Sequence, residues 1–174
     1  MTGDGSDGAA PFGAASLGAA TEPGGAAPSS MAERPAGRVA RGTCRALAQL
    51  GYASLLEVPL ADGGRADILA LGRSGDLVII EIKTSVADFR GDRKWGRYRD
   101  FADHLYFAVP DGFPSLLIPE ECGLIVADGF GAAILRDGVT TPLAAARRRA
   151  LTLRFARIAA KRLRRALDPD GNAT

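Results

Sequence analysis

"DILALGRSGDLVIIEIKTS", residues 67–85, decides how this chain is read. Two apolar runs flank a short polar stretch, which is the pattern of two antiparallel strands around a tight turn. The second run carries Glu81 and Lys83 at its most hydrophobic point, where a buried charge is costly unless something pairs with it. Side chains alternate along a strand, so Leu77, Ile79, Glu81 and Lys83 share one side, and Arg65, Asp67, Leu69 and Leu71 share one side of the strand before. The turn decides whether those sides coincide. A three-residue loop, Arg73-Ser74-Gly75, with Gly75 in the left-handed position of a type I plus G1-bulge hairpin, sets Gly72 opposite Asp76. Asp67 then faces Glu81 and Arg65 faces Lys83, whereas a two- or four-residue loop would send Asp67 to the other face.

Two facing carboxylates repel unless a cation sits between them. A few oxygen ligands with room for water and phosphate are how proteins usually hold Mg²⁺, with Mn²⁺ as a substitute. Asp67 and Glu81 are the expected ligands, and Lys83 beside them is placed to position a water or to stabilise charge at a phosphate. The competing reading is a set of ordinary cross-strand ion pairs, Asp67 with Arg65 or Lys83 and Glu81 with Lys83.

Outward from this hairpin, Val39, Cys44, Leu47 and Leu50 recur at helical spacing with Arg38, Arg41 and Arg45 on the other side, and Gly51 supplies a stop. Strands are expected at 52–60 and 65–71, around a turn at 61–64, and then at 76–85. In residues 86–104 the positions of Trp95, Tyr98, Phe101 and Ala102, continued by Leu105, mark the inner face of one helix, with Trp95 and Tyr98 as core. A strand at 105–109, a connector, a hairpin of 123–128 with 132–137, and a helical stretch from Pro142 to about Leu167 complete the chain. Helix, three strands, helix, strand, then extra strands and C-terminal basic helices is an α/β sandwich.

The remaining features bound the function classes. Residues 1–35 are Gly, Ala, Pro and Ser-rich and read as a disordered tail, with Met31 as a candidate true start; 36–168 form one domain and 169–174 a flexible end. Net charge is close to neutral, and no apolar run is long enough for a membrane span. The first residues lack the pattern of a secretory signal, so a cytoplasmic location is the default. Cys44 and Cys122 read as reduced thiols and His104 as a structural residue.

The arrangement of "RAD" and, fourteen residues later, "EIK" resembles the PD-(D/E)xK nuclease superfamily. That likeness implies a restriction-endonuclease-like core, with Asp67 and Glu81 as metal ligands and Lys83 as the catalytic lysine. The superfamily's proline before the aspartate is replaced by Arg65-Ala66, and the acid that many members carry on the first helix is missing from residues 38–50. Glu57 on the first strand is the nearest substitute metal ligand, against a simple edge ion pair. "GGRADILAL", "SVADFRGDRKW" and "IPEECGLIVADGFGAAILRD" are also similar to MmcB-type DNA repair proteins, which implies a role in DNA damage repair, DNA as a partner and other repair proteins beside it. The expectation is a Mg²⁺-dependent DNA endonuclease, or alternatively a catalytically silent DNA-binding or adaptor module; RNA as the substrate stays open.

Two basic stretches suit phosphate backbones. Arg90, Arg93, Lys94 and Arg97 lie three or four apart after the third strand, though Asp88, Asp92 and Asp100 balance them in the competing reading. In the C-terminal stretch Arg154, Arg157, Lys161 and Arg165 share a helical face, while Leu153, Ile158 and Leu167 are left for packing.

Overall fold

The computed structural model describes residues 34–92 and 94–170. The tail assigned to residues 1–35 lies outside the described residues up to position 33, as do Met31, Arg93 and residues 171–174. The chain opens with α1 (Pro35–Gln49), which starts on Pro35 in its first turn and ends on Leu50 and the left-handed Gly51 (φ +86°).

Strands β1 (Ala53–Pro59), β2 (Arg65–Leu71) and β3 (Leu77–Ile82) follow, then the short α2 (Val86–Gly91), a 3₁₀ turn (Trp95–Phe101) and β4 (His104–Val109). The connector holds a 3₁₀ turn at Ser115–Leu117 before β5 (Gly123–Ala127), β6 (Ala132–Arg136) and α3 (Ala145–Leu167). The six strands form one mixed sheet in chain order. Neighbours are antiparallel from β1 to β3, parallel from β3 to β5, and antiparallel between β5 and β6.

Both hairpins at the start of the sheet use one device. Gly72 N donates to the Asp76 carbonyl (2.9 Å) with Gly75 at φ +87°, and Leu60 N donates to the Gly64 carbonyl (2.8 Å) with Gly63 at φ +82°. A side chain at either left-handed glycine would meet the Cβ–carbonyl clash that L-residues avoid, so these two glycines fix the register. Fully buried residues fill both faces of the sheet. Leu47 and Val39 of α1 cover Ile68, Val78, Ile80 and Tyr106, whereas Tyr98, Leu151 and Phe155 cover Leu69, Ile79 and Phe107.

The single helix expected after β3 is broken. Ser85 caps α2 by accepting from Asp88 N (3.1 Å), and the helix ends after six residues at Gly91 and Asp92, which has extended backbone. Gly91 and Gly96 lower helix propensity on both sides of the break, and the Asp92 carboxylate accepts from Lys94 N (3.0 Å) as a local turn does. Trp95 and Tyr98 still reach the core, with the Trp95 ring edge-on to Phe107 at 5.8 Å between centroids.

At the C-terminus there is one helix, and its packing residues are Leu151, Phe155 and Ile158; Leu153 and Leu167 point to solvent. Asp103 explains the rotation. It is buried and accepts from Leu77 N (2.8 Å), Leu143 N (2.9 Å) and both terminal nitrogens of Arg148 (2.7 and 2.6 Å). That bidentate pair holds Arg148 inward, and residues three to four apart beyond it follow.

Candidate functional site

The β2–β3 ladder keeps the register the turn predicts as far as Ile68 opposite Ile80, one residue short of the acids. There the carboxylates replace the missing backbone partners. Asp67 N donates to Glu81 Oε1 (3.3 Å), and Ile82 N donates to Asp67 Oδ2 (2.9 Å). Each acid thus satisfies a main-chain donor on the facing strand, which brings the two together on the sheet face predicted for them. Among the described residues, Asp67 Oδ1 and Glu81 Oε2 accept no hydrogen bond, so one oxygen of each is available to a ligand.

The electrostatics of this pair are unfavourable to charge. Glu81 is buried, and desolvation followed by the Asp67 charge pushes its carboxyl up to about 8. Burial pushes Asp67 up as well, against the opposing pull of the Ile82 hydrogen bond and the nearby Lys83.

Lys83 is buried on the same side, with its ammonium 2.7 Å from Asp92 Oδ2. Burial alone would lower its pKa, but the hydrogen bond and charge of Asp92 outweigh that and raise it. Asp92 is lowered in turn, its burial overcome first by the Lys83 hydrogen bond. The direct partner of Lys83 is therefore Asp92, which the sequence reading counted only as a balancing surface charge. Its position nine residues after Lys83 has no periodic signature, because the contact exists only once the helix stops at Gly91.

Glu57 forms the edge ion pair. It sits between the paired positions Leu56 and Val58, in a left-handed conformation (φ +49°) that is unusual for a non-glycine residue. Its carboxylate lies 3.5 Å from Arg65, both side chains being more than half exposed, so the contact contributes little stability. Arg162 of α3 donates to the Glu57 carbonyl (3.2 Å), and Arg154 to that of Pro59 (2.6 Å). Among the described residues no group of three or more His, Cys, Asp or Glu side chains could hold a metal ion, so Glu57 does not join Asp67 and Glu81 in such a group.

The basic residues divide in the same way. Arg90 on α2 and Lys94 beyond it are exposed but belong to separate elements, and Arg97 is tied to Asp62 (3.1 Å). Among the described residues, Arg90, Lys94 and Arg97 do not share one helix face, since α2 stops at Gly91; Arg93 lies outside them. On α3, Arg157, Lys161 and Arg165 are exposed along one face with Arg154 half-buried among them. Arg154 and Arg162 fasten that helix to β1, the strand beside the one that carries Asp67.

His104 is buried against the Gly138 carbonyl (3.3 Å), and both cysteines are free. No helix among the described residues is long and apolar enough to cross a membrane.

Set against known families, the chain matches the one described as DNA repair protein MmcB-like over residues 25–170, most of its length. It belongs to the MmcB-like DNA repair protein family. No curated protein matches the chain. Among solved structures, a protein of unknown function from Silicibacter pomeroyi is similar at 42% identity, with a TM-score of 0.77 over 80% of this chain and 96% of that one. For this MmcB-like chain, family membership supports a role in DNA repair, and the six-stranded mixed sheet with its helices agrees with the α/β class read from the sequence.

Proposed function

We propose that this MmcB-like protein acts on DNA in repair as a metal-dependent phosphodiesterase with a PD-(D/E)xK-type core. The observation that carries the reading is the pairing of Asp67 with Glu81 across β2 and β3, each with one oxygen free, beside a buried lysine. Mg²⁺ commonly takes one or two carboxylates and fills its remaining positions with water and substrate phosphate, which suits a two-acid donor set. When bound, such an ion supplies Lewis acidity at a phosphate and lowers the pKa of its water. Asp67 and Glu81 would hold it. Lys83, kept charged by Asp92, would stabilise negative charge developing at the phosphate. The exposed basic row Arg157, Lys161 and Arg165 on α3 would take backbone phosphates, a contact that positions nucleic acid without reading its sequence.

The test is incubation of the protein with plasmid, branched and single-stranded DNA, and with RNA, in Mg²⁺ or Mn²⁺, alongside Asp67→Ala and Lys83→Ala. The expected result is metal-dependent cleavage by the wild type that both substitutions abolish. Equal activity in all three proteins removes the assignment. A second reading, a DNA-binding or adaptor module without turnover, is favoured by one observation: Lys83 is held by Asp92 rather than left open to a phosphate. Salt-sensitive DNA binding with no metal-dependent cleavage selects it.

A further inference from the structure

Helix α3 carries two apolar stripes, and the body covers only one. Leu151, Phe155 and Ile158 pack inward, while Leu153, Leu163 and Leu167 are 55%, 60% and 77% exposed on the opposite side. With Ala156 and Ala160 the outer residues step by three, four, three and four, the spacing of a helix-packing seam. Every residue from Ala160 to Asp170 is exposed, although Arg162 still ties this part of the helix to the Glu57 carbonyl of β1. Three large apolar side chains aligned this way form a patch of the kind that marks a binding surface, unlike singly scattered exposed leucines.

The charges around the stripe say what fits it. From Ala145 to Leu167 the helix has nine Lys and Arg residues and no Asp or Glu. Arg149 lies in line with the stripe, and Arg157 and Arg164 flank it, by helical spacing. A second copy packed on the same stripe would set Arg149 and Arg157 against their own equivalents, with acids only past the helix end, where Asp168 lies 3.8 Å from Arg164. DNA would be drawn to the neighbouring basic row but has no use for a line of leucines. A lipid surface would be better matched by aromatic or long apolar residues at the centre of the stripe, where this helix has Ala156 and Ala160. Those alanines instead allow another helix to approach closely between Leu153 and Leu163.

We infer that the outer face of α3 is a docking site for an acidic amphipathic helix of a partner protein, with apolar side chains over Ala156 and Ala160 and carboxylates against Arg149, Arg157 and Arg164. The recognition mode is helix against helix, with charge setting the partner's sign and the leucines supplying affinity. The inference stands whether or not the protein cleaves DNA.

The probe is a synthetic fluorescein-labelled helical peptide of three heptads, with Leu at the seam positions and Glu flanking them. Its controls are a scrambled peptide of the same composition, a Lys counterpart, and vesicles of phosphatidylcholine with phosphatidylglycerol. Anisotropy is measured with the full chain and with Leu163→Ser/Leu167→Ser, whose exposed sites should leave the thermal midpoint unchanged. The wild type is expected to bind the acidic amphipathic peptide at least about tenfold more tightly than the scrambled one, and the double substitution to remove that preference, since it strips two leucines from the seam. Equal affinity for the scrambled peptide, binding unaffected by the leucine changes, preferential vesicle binding, or a sedimenting dimer that the leucine changes dissociate would each overturn the proposal.

Discussion

Replacing Glu81 by glutamine should make the protein more stable in alkaline solution and leave it nearly unchanged in mild acid. Glu81 holds its proton in the folded protein up to about pH 8, against an ordinary 4.5. The unfolded chain therefore binds fewer protons than the folded one between those values, and the stability contributed below 4.5 is lost as pH rises through about 8. At about 1.36 kcal/mol per pH unit, that gap sets a ceiling of roughly 5 kcal/mol. Glutamine keeps the Oε1 acceptor for Asp67 N and resembles the protonated acid, so it carries no such loss. Urea titrations of both proteins at pH 5 and pH 9 in EDTA measure the difference. The glutamine variant should come within about 1 kcal/mol of the wild type at pH 5 and exceed it by up to roughly 5 kcal/mol at pH 9, figures set by the same linkage. Millimolar Mg²⁺ at pH 9 should then return stability to the wild type alone, by about 2.7 kcal/mol at a hundredfold excess over its dissociation constant. A difference that stays constant between pH 5 and pH 9 would refute the reasoning, because it would mean that Glu81 ionises as freely in the fold as outside it.

Three further outcomes test other parts of the molecule. Asp92→Asn leaves the buried Lys83 ammonium without its counter-charge and should cost about 3 kcal/mol in denaturant titrations, while adding Lys83→Met should recover much of that loss. Asp103→Ala removes the acceptor of four hydrogen bonds and should cost about 3–5 kcal/mol. Burial opposes the Asp103 charge, but Arg148 and two backbone donors overcome it and lower its pKa. Its contribution is present above the ordinary carboxylate value of 3.8 and lost as pH falls below that, so acid titrations should show a smaller loss of stability below that value in the variant than in the wild type. Arg157→Ala/Lys161→Ala/Arg165→Ala should weaken DNA binding and reduce the slope of log affinity against log salt by about 2–3, at about 0.9 per lost phosphate contact; an unchanged slope would show that α3 does not contact the backbone.

The hairpin register was legible because one residue type carried it. Gly75 can sit at φ +87° without strain, the loop length follows, and the facing of Asp67 and Glu81 follows from the loop. Runs of β-branched and aliphatic residues marked the central strands equally well, since β3 and β4 are buried on both faces and had to be largely apolar on both sides. The break between α2 and the 3₁₀ turn was not legible. Trp95, Tyr98 and Phe101 reach the core at the same intervals whether the backbone between Gly91 and Trp95 is helical or not. The Lys83–Asp92 pair depends on that break, so it was hidden for the same reason.

The C-terminal helix shows why periodicity alone cannot orient an element. Both of its apolar stripes have helical spacing, and the sequence reading drew its packing residues from the two together. What separates them is an interaction with no period. Asp103, between the 3₁₀ turn and β4, fixes Arg148 toward the sheet, and Leu151, Phe155 and Ile158 turn inward with it. Leu153, Leu163 and Leu167 are then committed to the outside, and the row of Arg157, Lys161 and Arg165 to the flank. One buried carboxylate thus assigns the faces of α3. Loosening the Asp103–Arg148 pair should disturb the outer seam and the basic row together, although neither touches Asp103.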